Sequence, residues 1–295
     1  MLGNHRLLCG DALSRRNHAL LCGGEKAQML YTDPPFNVPI NGHVRGSGSK
    51  QFREFPMASG EMSTQEFTEF LSVALILVGE KMASGSAAFV FMDWRHLHEH
   101  SQALDHAKYR LINLCVWVKP NGGMGSLYRS RHEMVFVSVI GSEKNRNNVQ
   151  LGKYGRNRTN VWEYAGATGG VSLPEDDFSV HPTVKPIQMA ADAILDVTAI
   201  NDIVLDPFLG SGSTLLAAER TKRRCFSMEL DPAYVDLTVR RWQDVTGQPA
   251  IHAVSGEAFD DHEQVRSLDH ESENPNKLLQ STNCLDAVIS QSEDT

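Results

Sequence analysis

Residues 28–36 read Gln-Met-Leu-Tyr-Thr-Asp-Pro-Pro-Phe, a short apolar run that ends in one acid, two prolines and one aromatic ring. The apolar part predicts a strand over Gln28–Thr32. Two consecutive prolines fix two φ angles and remove two backbone donors, and a residue before proline is driven to extended backbone. The motif Asp33-Pro34-Pro35-Phe36 is therefore predicted to form a stiff corner where the strand ends.

This corner carries the groups needed to hold a flat ring that bears an amine. The Asp33 carboxylate accepts one amine hydrogen, a carbonyl of the proline segment accepts the other, and Phe36 stacks on the ring face. The alternative is an ordinary strand-ending turn, because Asp and Pro are frequent in turns. The corner alone leaves both interpretations open.

Strand and helix patterns alternate around this corner. The patterns predict helices over Ser63–Met82, Trp94–Ala107, Ile187–Val197, Leu215–Arg220 and Ala233–Val245, and strands over Ala87–Met92, Leu111–Val118, Met134–Ile140, Asn201–Leu205 and Arg224–Glu229. This alternation is typical of an α/β protein in which helices cover both faces of a parallel sheet.

The charge of the chain is unevenly distributed. The 295 residues carry a net charge of −8, but residues 251–295 contain ten acidic and two basic residues, so the first 250 are neutral. We expect a catalytic domain over 1–250 and an acidic polar tail over 251–295, largely disordered after about residue 266.

No targeting segment or membrane-length apolar run is apparent, so a cytoplasmic protein is expected. The five cysteines lack C-x-x-C spacing and are predicted to be buried thiols.

Histidines are concentrated in the predicted helix Trp94–Ala107. His96 and His100 share a helix face, as two metal ligands would, but no H-E-x-x-H pattern or third ligand is nearby. We therefore predict a solvated helix face and no metal site.

A glycine-rich, basic stretch in the middle of the chain, about residues 119–180, is the candidate nucleic-acid-recognition region. Residues 119–160 hold eight basic and two acidic residues with tyrosines between them. Local positive charge of this kind suits phosphates, although a solvated loop is the alternative. The candidate nucleic-acid contacts are Lys119, Tyr128, Arg129, Arg131, His132, Lys144, Arg146, Lys153, Arg156 and Arg158. A second Gly- and Ser-rich stretch, 37–62, is predicted to be a loop that closes over substrate, with simple disorder as the alternative.

A second corner indicates a cofactor site. After the strand Asn201–Leu205 the chain reads Asp206-Pro207-Phe208-Leu209-Gly210-Ser211-Gly212-Ser213-Thr214 and begins a helix. The glycines let the backbone approach a ligand, and free N–H groups at the helix start suit an anion. The next strand ends in Glu229, an acid that can accept both hydroxyls of a ribose. A carboxylate site beside a ribose site fits S-adenosylmethionine, and the missing Gly-Lys-Ser/Thr ending excludes a P-loop.

Together, Asp33-Pro34-Pro35-Phe36 and the 206–212 loop resemble the amino-methylating DNA methyltransferases, which methylate N6 of adenine or N4 of cytosine. The catalytic motif comes first and the cofactor loop last, preceded by His181-Pro182-Thr183-Val184-Lys185-Pro186. This order is similar to the β-class of the family and to the methyltransferase half of ParB-linked site-specific DNA methyltransferases. The similarity runs from about Leu2 to Val245.

The resemblance implies a Rossmann-like methyltransferase fold with permuted motif order and a mostly parallel seven-stranded sheet with one reversed strand. It implies DNA and S-adenosylmethionine as partners, a role in restriction-modification, and a homodimer as an alternative to a monomer. Its catalytic residues would be Asp33, Pro34, Pro35 and Phe36. Its cofactor-binding residues would be Asp11, Ala12, Asp33, His181, Thr183, Lys185, Asp206, Phe208, Gly210, Gly212, Ser213, Thr214 and Glu229.

The predicted reaction is direct methylation of adenine N6 on a base flipped out of the duplex. The commonest adenine version of the motif ends in Tyr, whereas this chain has Phe36, so cytosine N4 stays an alternative. No cysteine follows a proline, so the Pro-Cys nucleophile of the cytosine-C5 enzymes is missing. RNA or protein methylation and a catalytically inactive binding module are further alternatives.

Overall fold

The computed structural model describes residues 1–38, 57–123, 127–165 and 184–261, which form eight strands and six α-helices. The strands are β1 (Arg6–Cys9), β2 (Ala27–Thr32), β3 (Met82–Met92), β4 (Arg110–Val118), β5 (His132–Ile140), β6 (Val161–Glu163), β7 (Ile203–Asp206) and β8 (Arg224–Glu229). The helices are α1 (Arg15–Cys22), α2 (Thr64–Gly79), α3 (Leu97–His106), α4 (Ile187–Val197), α5 (Ser213–Arg220) and α6 (Pro232–Thr246). Helix α4 and strand β8 have the predicted bounds.

All the described strands lie in one sheet, in the order β1-β8-β7-β2-β3-β5-β4-β6. Strand β5 is antiparallel to both of its neighbours, and every other pair is parallel. The prediction of a mostly parallel sheet with one reversed strand is confirmed, but the predicted number of seven strands is wrong. The additional strand, β6, pairs with the outer side of β4. Its three residues are too few to show a periodicity.

The register brings the ends of three strands together. Thr32 at the end of β2 lies opposite Val90 of β3. Leu205 pairs with Leu30 on one side and with Phe226 on the other. The carboxyl ends of β2, β7 and β8 therefore lie side by side, which is the edge where open α/β sheets bind ligands. We call it the carboxyl edge.

Alternation along β2 divides the core between the two faces of the sheet. Met29 and Tyr31 pack in a cluster with apolar residues of α4, α5 and α6. Leu30 packs in a second cluster with residues of α1, α2 and α3. Because both faces are covered, β2 is buried along most of its length and can position the corner that follows it.

Helix α2 begins at a capping box. The Glu66 N–H donates to Ser63 Oγ (3.3 Å) and the Ser63 N–H donates to Glu66 Oε2 (2.9 Å). This pair satisfies two backbone donors that the first turn of a helix leaves free. Helix α2 therefore starts at a defined residue after the segment that follows the Asp33 corner.

The two ends of the described chain meet. The Met1 amino group donates to the Ile251 carbonyl (2.7 Å), and the Ile251 N–H donates back to the Met1 carbonyl (2.9 Å). Phe259 donates its N–H to Ala250 (2.9 Å) and packs on the core. Ala250 and Phe259 therefore pack on the body, although the sequence places the start of the tail at 251 and residues 251–257 are exposed.

Two predictions about individual side chains are wrong. His100 lies on the buried side of α3 against the Phe136 ring (4.4 Å between centroids), so its helix face is not solvated there. Cys9 is exposed, whereas Cys22, Cys115 and Cys225 are buried as predicted. The predictions for residues 39–56 and for 262–295 lie outside the described residues. None of the helices in the described ranges is long and apolar enough to cross a bilayer.

Candidate active site

The Asp33 corner lies at the carboxyl edge, directly after β2. Asn37 closes it: its side-chain amide donates to the Met62 carbonyl (2.8 Å), and its Oδ1 accepts the Gly60 N–H (3.0 Å). Asn37 adopts positive φ (53°), a conformation that asparagine tolerates better than most residues. The corner is thus tied to the residues that lead into α2, and the two ends of the predicted closing loop are held together.

A buried lysine is bound to the corner's carboxylate. The Lys185 Nζ donates to Asp33 Oδ2 and also lies 3.2 Å from Glu133 Oε2. Glu133 in turn accepts a hydrogen bond from Lys119 (2.5 Å). Four charges of alternating sign therefore run from Asp33 through Lys185 and Glu133 to Lys119. The sequence assigned Lys185 to the cofactor, but the structure places it on the catalytic candidate.

Aromatic rings surround the lysine. The Lys185 ammonium lies 5.7 Å from the ring centre of Phe36, 5.3 Å from Phe91 and 5.9 Å from Trp117. Cations within about 6 Å of an aromatic face are attracted by its quadrupole. The Lys185 side chain is only 7% exposed, so its charge depends on these rings and on the two carboxylates.

Burial and the neighbouring charges set the protonation of this group. Burial raises the pKa of Asp33 to about 6, against the opposing effect of Lys185 and with a further increase from Glu133. Burial alone would raise the pKa of Glu133, but Lys185 and Lys119 hold it well below its usual range. The pKa of Lys185 is raised because its two carboxylates outweigh its burial. All three groups are therefore charged at neutral pH.

One oxygen of Asp33 is left for a ligand. Its Oδ1 is buried and has no hydrogen-bond partner within the described ranges. A buried carboxylate oxygen without a donor is costly, and native structures supply a partner in most cases. The arrangement can therefore accept a hydrogen from an amine at Oδ1 while Oδ2 is held by Lys185.

The loop after β7 forms the second part of the site. Asp206 is buried, and its Oδ1 accepts hydrogen bonds from Thr32 Oγ1 (2.7 Å) and the Phe208 N–H (3.1 Å). Burial raises the pKa of Asp206 to about 6, and hydrogen bonds from Thr214 and Thr32 oppose the rise. The bond from Thr32 ties the 206–214 loop, the candidate cofactor loop, to β2, one residue before the Asp33 corner.

The turn itself depends on Gly212. This residue has a φ of +90°, and a Cβ there would lie 2.8 Å from Thr238 Cγ2. The Thr238 hydroxyl donates to the Gly210 carbonyl (3.2 Å), which holds the loop against α6. Ser213 begins α5, and its Oγ is buried without a partner in the part of the chain described. A tight backbone cradle with an unused hydroxyl is suited to a polar ligand.

Glu229 closes the site at the end of β8. Its carboxylate accepts the Gly210 N–H (2.8 Å) and the Asp231 N–H (2.8 Å). Burial raises its pKa. Strand β1 runs beside β8, with Cys9 opposite Glu229, so Asp11 and Ala12 follow at the same edge. Asp11 Oδ1 accepts the Leu13 N–H (2.8 Å), which fixes the acidic turn.

The structure brings together most of the predicted catalytic and cofactor residues. Residues 33–36, Asp11 and Ala12, Lys185, the 206–214 loop and Glu229 all follow strands at the carboxyl edge or contact residues there. His181 and Thr183 lie outside the described residues. Sequence reasoning missed Glu133 and Asn37. Glu133 is one of two acids in the basic stretch 119–160, which was the available signal.

The predicted DNA contacts are divided between two places. Strand β5 is reversed, so the connection from β4 to β5 lies at the carboxyl edge. Its described residues, 119–123 and 127–132, include Lys119, Tyr128, Arg129, Arg131 and His132, and we call these residues the 119–132 segment. Tyr128 is 84% exposed.

The remaining candidates follow β5 at its other end. Glu143 donates its N–H to Ser84 near the start of β3 (3.3 Å), which places Lys144 and Arg146 at the opposite edge of the sheet. Lys153 and Arg156 lie beside the exposed Tyr154 ring. Arg158 is half-buried and paired with Asp196 of α4 (2.6 Å). The ten candidates therefore do not form one surface.

Comparisons with known proteins agree on the class. A family model described as DNA methylase, for N6 and N4 methyltransferases, matches residues 27–240. Type II methyltransferase M.HinfI of Haemophilus influenzae is 22% identical over 235 residues, which cover 76% of this chain and 65% of that protein. Type II methyltransferase M2.DpnII of Streptococcus pneumoniae is 24% identical over 227 residues, which cover 74% and 82%. The chain thus spans slightly less than two thirds of M.HinfI and more of M2.DpnII.

Solved structures share the fold. The M1.HpyAVI–SAM complex superposes with a TM-score of 0.58 at 20% identity, covering 80% of this chain and 98% of that chain. The cytosine-N4-specific PvuII DNA methyltransferase gives a TM-score of 0.60 at 18% identity, with coverages of 81% and 86%. At these identities the similarity supports the Rossmann-like fold alone.

Proposed function

Because the chain belongs to the family of N6 and N4 DNA methylases, we propose that it transfers the methyl group of S-adenosylmethionine to an exocyclic amine of a base in DNA. Asp33 carries this proposal. Its Oδ2 is held by Lys185 while the buried Oδ1 has no partner among the residues described. An acceptor fixed in this way beside the Phe36 ring suits an amine on a flat base.

The chain's residues would act mainly by positioning. The lone pair of an exocyclic amine is delocalised into the ring, which makes it a poor nucleophile. Hydrogen bonds to Asp33 and to a Pro34 carbonyl would draw the amine toward tetrahedral geometry and direct its lone pair. Phe36 would stack on the base, which must leave the duplex to reach the corner. Asp33 would accept the proton that the amine loses when the new N–C bond forms.

The cofactor residues fit S-adenosylmethionine, whose sulfonium supplies an electrophilic methyl group. Glu229 would accept the ribose hydroxyls, and the cradle at Gly212 with the unused Ser213 hydroxyl would receive the polar amino-acid end. Asp11 would lie beside the adenine. His181 and Thr183 stay predictions, whereas we assign Lys185 to Asp33 instead.

We propose that DNA approaches along the carboxyl edge and contacts the 119–132 segment. The exposed Arg129 and Arg131 would pair with phosphates, and Tyr128 offers an aromatic face. Lys144 and Arg146 lie at the other edge, so we do not include them in this surface. The catalytic domain would cover residues 1–250, and Phe259 would pack on its core.

Adenine N6 is the proposed target, with cytosine N4 as the alternative. Three of the four positions in Asp33-Pro34-Pro35-Phe36 match the commonest adenine version of the motif. Phe36 lacks the hydroxyl of that version, although its ring can still stack on either base.

The test is methylation of unmodified genomic DNA with isotopically labelled S-adenosylmethionine, followed by nucleoside analysis. We expect labelled N6-methyladenine, and labelled N4-methylcytosine would replace the adenine assignment. RNA and total protein are included as acceptors in parallel. Label in either of these but not in DNA would contradict the proposal, and failure to bind S-adenosylmethionine in calorimetry would indicate an inactive binding module. Single-molecule sequencing of the methylated DNA would give the recognition sequence.

A further inference from the structure

We infer that Glu133 is a positioning residue for methyl transfer, because it shares the Lys185 ammonium with Asp33 and so controls how firmly that ammonium holds the acceptor carboxylate. This inference rests on the proposed function. Glu133 lies at the beginning of β5, and its side chain is 12% exposed. Lys185 Nζ is bound to Asp33 Oδ2 and lies 3.2 Å from Glu133 Oε2.

The positive and negative charges of the Asp33–Lys185–Glu133–Lys119 cluster are equal in number. Asp33 and Glu133 are two carboxylates, and Lys185 and Lys119 are two cations that alternate with them. Removing one member of a buried ion pair leaves the charge of its partner uncompensated, so the remaining charged groups must pair differently. Without the Glu133 charge, Lys185 would pair with Asp33 alone.

This change of pairing should shift the pKa of Asp33 in a defined direction. Lys185 and Lys119 favour its charged form, whereas Glu133 and the buried Asp206 of β7 oppose it. Tyr31 of β2 is neutral, since burial raises its pKa further from neutrality. Loss of the Glu133 charge should therefore lower the pKa of Asp33, and loss of the Lys185 charge should raise it.

The cluster also extends from the buried Asp33 to the partly exposed Lys119. Lys119 is 35% exposed and begins the 119–132 segment, which we propose contacts DNA. Its hydrogen bond to Glu133 therefore joins the recognition side of the site to the acceptor carboxylate. A phosphate that drew Lys119 away would leave Glu133 with Lys185 alone and weaken the hold of Lys185 on Asp33.

The experiment compares Glu133→Gln and Lys185→Met with Glu143→Gln, which removes an exposed acid of the same type. Single-turnover methylation of duplex DNA is measured from about pH 5 to about pH 9, across the range in which Asp33 titrates. The acid limb should move to lower pH in Glu133→Gln and to higher pH, by about one to three units, in Lys185→Met. The Glu143→Gln profile should match that of the wild-type protein.

A second measurement does not depend on activity. Titration of the Asp33 carboxyl by ¹³C NMR in aspartate-labelled protein should show the same two opposite shifts. If Lys185→Met does not fold, as judged by circular dichroism, Lys185→Gln takes its place, and Glu133→Asp should restore the wild-type profile. An Asp33 titration that is the same in Glu133→Gln and wild-type protein would overturn the inference. A wild-type protein that does not methylate DNA would overturn the proposed function, and the NMR titration would still decide the role of Glu133.

Discussion

At the scale of single residues, Asp33 combines three properties that suit it to hold a substrate amine. It precedes two prolines, one of its oxygens is held by a lysine, and its other oxygen is buried without a partner among the described residues. The lysine is 152 residues away in sequence, so no local pattern could reveal the pair. Sequence reasoning found Asp33 because the prolines mark the corner. It missed Glu133 because the antiparallel β5, rather than any motif, brings that acid to the same place.

Asp33→Asn should abolish most of the methyl transfer. The amide keeps the size of the side chain but removes the charge, and its NH₂ group cannot accept a hydrogen from the substrate amine. We expect a loss of about 10³-fold or more in single-turnover rate, within the range found when a general base or a charge-stabilising group is removed. Binding of S-adenosylmethionine, measured by calorimetry, should change little.

The matched control for that variant is Asp105→Asn, an exposed position on α3. It should methylate DNA at the wild-type rate. Substantial activity in Asp33→Asn would contradict the role given to Asp33, while leaving the family membership intact.

Glu229→Gln should weaken cofactor binding. The carboxylate accepts two backbone N–H groups and would also accept the ribose hydroxyls. An amide can replace only part of this acceptor capacity, because its NH₂ group faces other donors. We expect the Kd for S-adenosylmethionine to rise about 10- to 100-fold, as charge-assisted hydrogen bonds of about 1.5–3 kcal/mol are lost. Glu69→Gln, on the exposed side of α2, should leave the Kd unchanged; equal affinities in the two variants would exclude Glu229 from the ribose site.

At the scale of elements, sequence patterns predicted the long, well-bounded segments. Helix α4 follows Pro186, and β8 ends before the Leu230-Asp231-Pro232 turn, so both had clear limits in the sequence. Strand β6 was missed because its three residues have no period, and it is held by pairing with β4. His100 was misassigned because a polar residue type outweighed its position, which lies on the same buried stripe of α3 as Ala103 and Leu104. The helical spacing of His100 relative to Ala103 and Leu104 predicts its burial better than its residue type does.

Gly212→Ala should disrupt the cofactor loop more than an equivalent change elsewhere. The added Cβ would meet Thr238 at 2.8 Å while the backbone stays at φ +90°. Gly247→Ala, at the end of α6, is the matched control: its φ is also positive (+67°), but nothing lies within 4 Å of a Cβ there. Both should lose about 1–2 kcal/mol of unfolding free energy from the backbone conformation. Gly212→Ala should lose additional unfolding free energy from the contact with Thr238, and it should also bind S-adenosylmethionine more weakly than the wild-type protein. Equal unfolding free energies in urea and equal affinities in calorimetry for the two variants would contradict a tight cradle at Gly212.

The two edges of the sheet should differ in DNA binding. The double variant Arg129→Ser/Arg131→Ser removes two positive charges at the carboxyl edge, and Lys144→Ser/Arg146→Ser removes two at the opposite edge. If the first pair contacts two phosphates, its loss should reduce the salt dependence of DNA affinity, with the slope of log K against log salt falling by about two. The second variant should keep the wild-type slope. Fluorescence anisotropy at several salt concentrations measures both, and a larger effect from the second pair would place DNA on the other edge.

At the scale of the whole molecule, the position of Asp11 and Glu229, the acids proposed to bind the cofactor, depends on how the two ends of the described chain are held together. Strand β1 is the last strand of the sheet beside β8, and it ends with Cys9 opposite Glu229, so Asp11 follows at the same edge. The residues before β1 are fixed by contacts with distant parts of the chain, including Ile251. The sequence indicated that Gly10-Asp11-Ala12 is an acidic turn by its resemblance to the family. That resemblance does not show which contacts hold β1 at the edge, because they join residues more than 200 positions apart.

His5 is the central contact of this closure. Its Nδ1 accepts the Cys225 N–H (2.8 Å), so the proton must be on Nε2, which donates to Glu219 Oε2 (2.8 Å). Trp242 donates to the same carboxylate oxygen (2.9 Å), so one neutral imidazole joins β8, α5 and α6. Burial lowers the pKa of His5 and outweighs the opposing effect of Glu219, so the ring is neutral near pH 7.

His5→Ala should therefore destabilise the whole fold. It leaves the Cys225 N–H buried without an acceptor and removes one donor from Glu219, while the edge strand β1 loses its anchor. We expect a loss of about 2–3 kcal/mol in the free energy of unfolding by urea, the cost typical of a buried polar group left unpaired. His98→Ala, on the exposed face of α3, should stay within about 0.5 kcal/mol of the wild-type value. Since β1 leads into Asp11, which we propose lies at the cofactor site, His5→Ala should also weaken S-adenosylmethionine binding. Destabilisation no greater than that of His98→Ala would mean that pairing between β1 and β8 alone holds the edge of the sheet.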